Sequence, residues 1–210
     1  MGKPLMLRLG ANESSFGMSP SAAHAMADAA RLSSLYGDPE SLELRVALAA
    51  HLGCEVGNLL VGSGIDDLLG LTARAFIEPG RSVVTSLGGY PTFNYHVEGF
   101  GGALHRVPYR NFSNDLVGLA EIAKKRKPHL VYLANLDNPT GSWYSPSQVN
   151  EFRQSLPSES LLVLDEAYAE FAPESTDNTV NADDPNIIRL RTFSKAYGLA
   201  GIRVGYAIAC

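Results

Sequence analysis

Short apolar runs alternate with longer segments of helical period along most of this 210-residue chain, and no other feature restricts its fold as tightly. Strands are expected at Leu59–Gly62, Ser82–Ser86, Ala103–Val107, His129–Ala134, Leu161–Leu164, Ile187–Arg191 and Ile202–Ala209. Ser19-Pro20 opens a first helix by N-cap and N1 chemistry and the helix runs through Ala30; a second spans about Ser41 to Leu52 and stops at Gly53. Further helices are read over Ile65–Phe76, closed by Glu78-Pro79-Gly80, near Pro91–Gly99, and at about Leu116–Arg126 and Pro146–Leu156. Such alternation builds an α/β fold, a mostly parallel sheet with helices on both faces and right-handed crossovers. Sites in these sheets lie beyond the carboxyl ends of the strands, so the loops after each strand carry the chemistry.

Hydrophobic residues make up 45% of the chain, enough for a packed core and too many for a disordered segment. The length fits one domain, or one and part of a second, and excludes a large multi-domain machine. Seventeen Lys and Arg against twenty-two Asp and Glu leave a net charge of −5, so no nucleic-acid partner is expected. The one basic run, Lys124-Lys125-Arg126-Lys127, ends a helical pattern before Pro128, where positive charge complements the helix dipole. Cys54 and Cys210 form no CxxC pair, which fits a reducing compartment. His51 and Cys54 share a helical face, but two ligands make no site, and no metal is expected. The amino terminus has no apolar signal core and no run approaches the ~18 apolar residues that span a bilayer. A cytoplasmic protein without a membrane segment is the expectation.

Four loops stand out. Gly62-Ser63-Gly64-Ile65-Asp66-Asp67 joins a strand to a helix, where free N–H groups and glycines make an anion site; a plain tight turn capped by Asp66 accounts for it equally well. It is neither a Walker A loop nor GxGxxG, which argues against ATP and dinucleotides. Asn135-Leu136-Asp137-Asn138-Pro139-Thr140-Gly141 follows a strand and reads as a turn. Asp165 and Glu166 end the apolar run Leu161–Leu164; a carboxylate buried there wants a cation, although Asp165 can also cap the next segment. Thr192-Phe193-Ser194-Lys195 follows another strand, with Gly198, Gly201 and Arg203 beyond. A lysine there is either an ordinary surface residue or a desolvated Schiff-base nucleophile.

Taken in that order, the four loops resemble the pyridoxal-phosphate (PLP)-dependent aminotransferases of the aspartate-aminotransferase fold. The most specific segments are Asn138-Pro139-Thr140-Gly141, Asp165-Glu166-Ala167-Tyr168 and the run from Ser194 through Tyr206. Leu9-Gly10-Ala11-Asn12-Glu13 and Tyr36-Gly37-Asp38-Pro39 look like the histidinol-phosphate branch in particular. The resemblance covers the chain from Leu9 onward.

The resemblance implies that Lys195 forms the Schiff base with the cofactor aldehyde and later shuttles a proton. Asp165 would pair with the protonated pyridine nitrogen, which supplies the cation that its position demands. Asn138 and Tyr168 would hydrogen-bond the phenolic oxygen. The backbone of Ile65 and Asp66 would hold the phosphate with Ser194 and Arg203, and Thr192 would add a hydroxyl. Phe93, in Tyr90-Pro91-Thr92-Phe93, stands where the family stacks an aromatic on the ring, though an ordinary core aromatic fits as well. Tyr36 matches a residue that reaches the neighbour's cofactor phosphate, which implies a homodimer; a solvated loop tyrosine is the alternative. Asn12 is the residue carried over toward the substrate.

Leu136-Asp137 replaces the usual Pro-Asn and Asp67 the usual glutamate, which leaves the substrate open, and Trp143 reads as a packing residue. The implied activity is transamination between an amino-acid-like donor, such as histidinol phosphate or an aromatic amino acid, and a 2-oxo acid. The alternatives are decarboxylation of a phosphorylated amino acid and a non-catalytic cofactor-binding fragment. Residues 1–40 are expected to form an arm and first helix at the dimer and cleft, and 41–210 the large PLP-binding domain without the small domain that follows in the family.

Overall fold

A strand that is apolar at every position has to be covered on both faces and paired on both edges. Leu130–Ala134 is buried throughout and lies inside a seven-stranded sheet in the computed structural model, which describes residues 10–173, 182 and 184–210. In chain order the elements are α1 (Pro20–Ala29), α2 (Leu42–Leu52), β1 (Leu59–Gly62), α3 (Ile65–Phe76), β2 (Ser82–Ser86), α4 (Thr92–Gly99) and β3 (Ala103–Val107). They continue with α5 (Leu116–Arg126), β4 (Leu130–Ala134), α6 (Pro146–Ser155), β5 (Leu161–Asp165), β6 (Ile187–Thr192) and β7 (Gly205–Ile208).

The spatial order is β1-β7-β6-β5-β4-β2-β3. Strands β2 to β6 pair in parallel, while β7 runs antiparallel to both β6 and β1. The reversal follows from the connection: no helix stands between β6 and β7 to carry the chain back across the sheet. The mostly parallel α/β sheet expected from the alternation is therefore present, with one reversed strand that the apolar pattern alone does not encode.

The pleat divides the core in two. Leu130 and Tyr132 of β4 and Val163 of β5 pack with Leu68, Leu69, Phe93 and Val97 of α3 and α4. Their neighbours Val131, Leu133, Leu162 and Leu164 pack on the other face with Leu119, Ala123, Val149 and Phe152 of α5 and α6. A third cluster joins α2 to β1 and β7 through Leu48, Leu52, Leu59 and Ile208.

Local signals act where expected. Ser145 Oγ accepts from the Gln148 N–H at 3.3 Å and Gln148 Oε1 accepts from the Ser145 N–H at 2.9 Å, closing a capping box on α6. Gly53, at φ 69°, ends α2. The final strand begins at Gly205 rather than Ile202, because Arg203 takes φ 61° and breaks the extended run. Short 3-10 turns at Ala30–Leu32, Val56–Asn58 and Ala169–Phe171 carry no periodicity to read. No buried residue lies on α1, and Tyr36 beyond it is fully exposed. Residues 1–9 of the expected arm lie outside the described residues. Among the described residues, no helix is long and apolar enough to cross a membrane.

Behind the carboxyl end of β5, Glu166 is 2% exposed and is held by two arginines of β6. Its carboxylate accepts from Arg189 Nε at 3.0 Å, Arg189 Nη2 at 2.5 Å and Arg191 Nε at 3.0 Å. Removing one partner of such a cluster strands buried charge, so Glu166→Ala should cost about 3–5 kcal/mol of stability. Urea denaturation measures it, and a loss below about 1 kcal/mol, the worth of a surface pair, would contradict the reading.

Candidate active site

The loops after β1, β2, β4, β5 and β6 converge on a cavity of about 550 Å³ at the carboxyl edge of the sheet. Ile65 and Asp66 reach it from the start of α3, Tyr90 from the loop after β2, and Leu136 and Asn138 from the loop after β4. Asp165, Ala167 and Tyr168 line it from β5, and Thr192, Ser194, Lys195 and Arg203 from β6 and the loop beyond. Gly10, Ala11 and Asn12 contribute the remaining wall, with Tyr132 and Ala134 of β4.

At the start of α3 the chain makes room for a cation. Gly64 has φ 87°, and a Cβ there would stand 2.3 Å from Arg203 Nη2, so only glycine lets the guanidinium lie against the helix terminus. Arg203 donates from Nη1 to Ser194 Oγ at 3.3 Å and to the Ala200 carbonyl at 3.0 Å, and from Nη2 to the Ser63 carbonyl at 3.2 Å. Thr192 Oγ1 donates to Ser194 Oγ at 2.9 Å. Asp67, rather than Asp66, caps the turn, with Oδ2 accepting from the Ser63 N–H at 2.8 Å. Helix N–H groups, two hydroxyls and an arginine with no carboxylate partner among the described residues form a donor set that suits a phosphate dianion.

Asp165 closes β5 and is 5% exposed. Its Oδ2 accepts from the Tyr132 hydroxyl at 2.7 Å and its Oδ1 from the Ala167 N–H at 3.0 Å, so the local cap read from sequence is real. Burial pushes the carboxyl up to about 6; those two hydrogen bonds oppose the rise, and Asp66 and Glu166 add to it. No cation of the described residues pairs with it, which leaves a buried acid open to a cationic ligand.

Lys195 is half-buried, and Nζ donates to the Ala11 carbonyl at 3.1 Å and the Asn12 carbonyl at 3.5 Å, 5.7 Å from the centre of the Tyr168 ring. Asn12 Nδ2 in turn donates to the Tyr168 hydroxyl at 3.0 Å. Asn138 is carried by a turn tied down at Asp137, which accepts from the Tyr109 hydroxyl at 2.8 Å, Asn114 Nδ2 at 3.2 Å and Thr140 Oγ1 at 2.8 Å. The unusual Asp137 therefore braces the loop, and Leu136 faces the cavity.

One expected position lies elsewhere. Phe93 is fully buried and stacks on Tyr132, with ring centroids 4.9 Å apart, instead of lining the cavity. It sits in the first turn of α4 on the face packed against the sheet, and Tyr90, just before the helix, is the aromatic at the wall. Tyr36 does not reach the cavity of its own chain. Tyr90 and Tyr132 were not singled out from sequence; for Tyr132 the available signal was a hydroxyl in an otherwise apolar buried strand.

The family model for aminotransferase class I and II matches residues 4–210. The chain belongs to this family. A histidinol-phosphate aminotransferase of Moorella thermoacetica is 38% identical over 213 residues, covering 100% of this chain and 55% of that protein. Another, of Anaeromyxobacter, is 38% identical over 206 residues, covering 96% of this chain and 56% of the relative. Histidinol-phosphate aminotransferase from Sinorhizobium meliloti, solved with pyridoxal-5′-phosphate, superposes with a TM-score of 0.91 at 53% identity, covering 95% of this chain and 55% of that one. The chain thus spans a little over half the length of the curated relatives it matches. A Thermus thermophilus aspartate aminotransferase variant, at 20% identity and a TM-score of 0.83, shares the fold.

An acid whose folded value lies above its unfolded 3.8 weakens the fold as it ionises. The cofactor-free protein should therefore lose stability from this group as pH rises from about 4 to about 6, by up to about 3 kcal/mol, and Asp165→Asn should remove that loss. Denaturation of both proteins across this range checks the sign; a difference between them that does not change with pH would contradict it.

Proposed function

We propose that this chain supplies the cofactor-binding part of a PLP-dependent aminotransferase that moves an amino group between an amino-acid-like donor and a 2-oxo acid. The observation that carries the reading is one cavity holding a half-buried lysine, a buried acid with no cation partner among the described residues, and an arginine-backed helix terminus. Relatives named histidinol-phosphate aminotransferase favour histidinol phosphate as the donor, and the PLP in the Sinorhizobium structure favours that cofactor.

The N–H groups of Ile65 and Asp66, the hydroxyls of Ser194 and Thr192, and Arg203 would hold the phosphate. Asp165 would hold the ring nitrogen in its protonated form, and Asn138 and Tyr168 would bond the phenolic oxygen. When bound, PLP supplies an aldehyde that condenses with amines and a ring that withdraws electrons from the carbon being deprotonated. Lys195 Nζ would be the amine that makes that bond and would take the proton from the substrate Cα. Asn12 orients the Tyr168 hydroxyl and stands on the substrate side. Residues 1–40 serve as the arm, and 41–210 as the cofactor-binding domain.

A homodimer completes the reading. With no buried residue on α1, and Phe16 at 98%, Leu35 at 68% and Tyr36 fully exposed, the arm presents apolar side chains that a second copy would cover. A cytoplasmic location fits the two free cysteines.

Incubation with PLP should give the protein the visible absorbance of a lysine-bound cofactor, and Lys195→Ala should abolish it; an unchanged spectrum in the variant refutes the lysine assignment. Amino transfer that depends on a 2-oxo acid, rather than release of CO2, distinguishes transamination from decarboxylation. Sedimentation should show a dimer, and Tyr36→Phe should weaken PLP binding several-fold, as expected for loss of one hydrogen bond to a charged group; a monomer with wild-type affinity in the variant would count against sharing of the site.

A further inference from the structure

The geometry points to Tyr132 as a positioning residue that fixes the plane of the Asp165 carboxylate and keeps it ionised. The inference rests on the reading that Asp165 is the ring-nitrogen partner. Tyr132 lies on β4, directly beside β5, with Ala134 in register with Asp165, so its side chain comes up on the same face as that carboxylate. It is 3% exposed, and its hydroxyl donates to Oδ2 at 2.7 Å. The ring cannot swing away, because Phe93 stacks on it at 4.9 Å with an interplanar angle of 23°, and Phe93 is itself fully buried. Phe93 thus acts one layer below the cavity, bracing the tyrosine.

With Oδ1 taken by the Ala167 N–H and Oδ2 by Tyr132, the carboxylate is clamped at both oxygens, and each keeps a lone pair for a further donor from the cavity. The surroundings otherwise disfavour its charge. Burial and the acids Asp66, from α3, and Glu166, next along β5, all push against ionisation, and Tyr132 and the Ala167 N–H oppose them. Lys195, Arg203 and Tyr168 share the cavity without touching the carboxylate. Loss of the tyrosine hydroxyl removes one of the two donors to the charged form and leaves the ring stack in place.

The test uses Tyr132→Phe. In the cofactor-free protein, carbon NMR of the Asp165 side chain should show its titration midpoint move up by about one pH unit. Binding of PLP should weaken roughly threefold or more at about pH 6.5, and the deficit should shrink at about pH 8.5, where the carboxylate ionises in both proteins. Deazapyridoxal phosphate, whose ring carries C–H in place of nitrogen, should bind wild type and variant alike. An unmoved midpoint overturns the proposal, and so does an equal loss for both ligands, which marks a packing role only. If Tyr132→Phe fails to fold, Phe93→Leu should shift the midpoint in the same direction by less, and no shift there overturns the bracing. Asp165→Asn separates the underlying reading: if it discriminates PLP from the deaza compound as wild type does, Asp165 is not the ring-nitrogen partner, while the NMR midpoint still reports on Tyr132.

Discussion

Two acids stand side by side at the end of β5, and the pleat sends them to opposite faces of the sheet. Glu166 turns away from the cavity and is clasped by Arg189 and Arg191 of β6, deep enough that each charge needs the others. The clasp locks the carboxyl end of β5 against β6, and the loop carrying Ser194 and Lys195 leaves from that end. Asp165 can then remain on the cavity face as a buried carboxylate with no cation partner among the described residues. The order of the sheet edge and the electrostatic vacancy in the site are two outcomes of one alternation.

Much of this was legible in the residues. The apolar runs located all seven strands to within a few residues, since a strand buried on both faces is mostly apolar and a polar side chain there needs a partner. Ser19-Pro20 and Gly53 marked helix ends because their effects act within a single turn. The loops after the strands contained most of the cavity residues, as the geometry of parallel sheets demands, while Gly10 to Asn12 and the strand residues Tyr132 and Ala134 came from elsewhere. Phe93 shows where such reading stops. Its neighbour Tyr90 is three residues away, and which of the two meets the cavity depends on where α4 begins and how it rolls on the sheet, a tertiary matter. The tie between Tyr132 and Asp165 was likewise invisible, because a cross-strand contact requires the register of β4 on β5. The late start of β7 at Gly205 depended on Arg203 adopting a left-handed backbone, which no periodicity announces.

The amine of Lys195 meets two main-chain carbonyls of the segment at Ala11 and Asn12, and Asn12 also holds Tyr168. Gly198, at φ 68°, approaches so closely that a Cβ would stand 2.1 Å from the Gly17 carbonyl oxygen. The beginning of the described chain is thus laid across the loop that bears the lysine. A side chain at position 198 would lift it off, although that position touches no part of the cavity.

The pairing of β1 with β7 joins Leu59 to Ile208, and β1 has no other partner in the sheet. During synthesis, β1 must therefore wait for β7 while β2 to β6 are made. For that interval its backbone donors and acceptors stay open, and a contact of such long range is also among the slowest to form. The loop at the start of α3 shares this long-range dependence, because Gly64 lies against Arg203, just before β7.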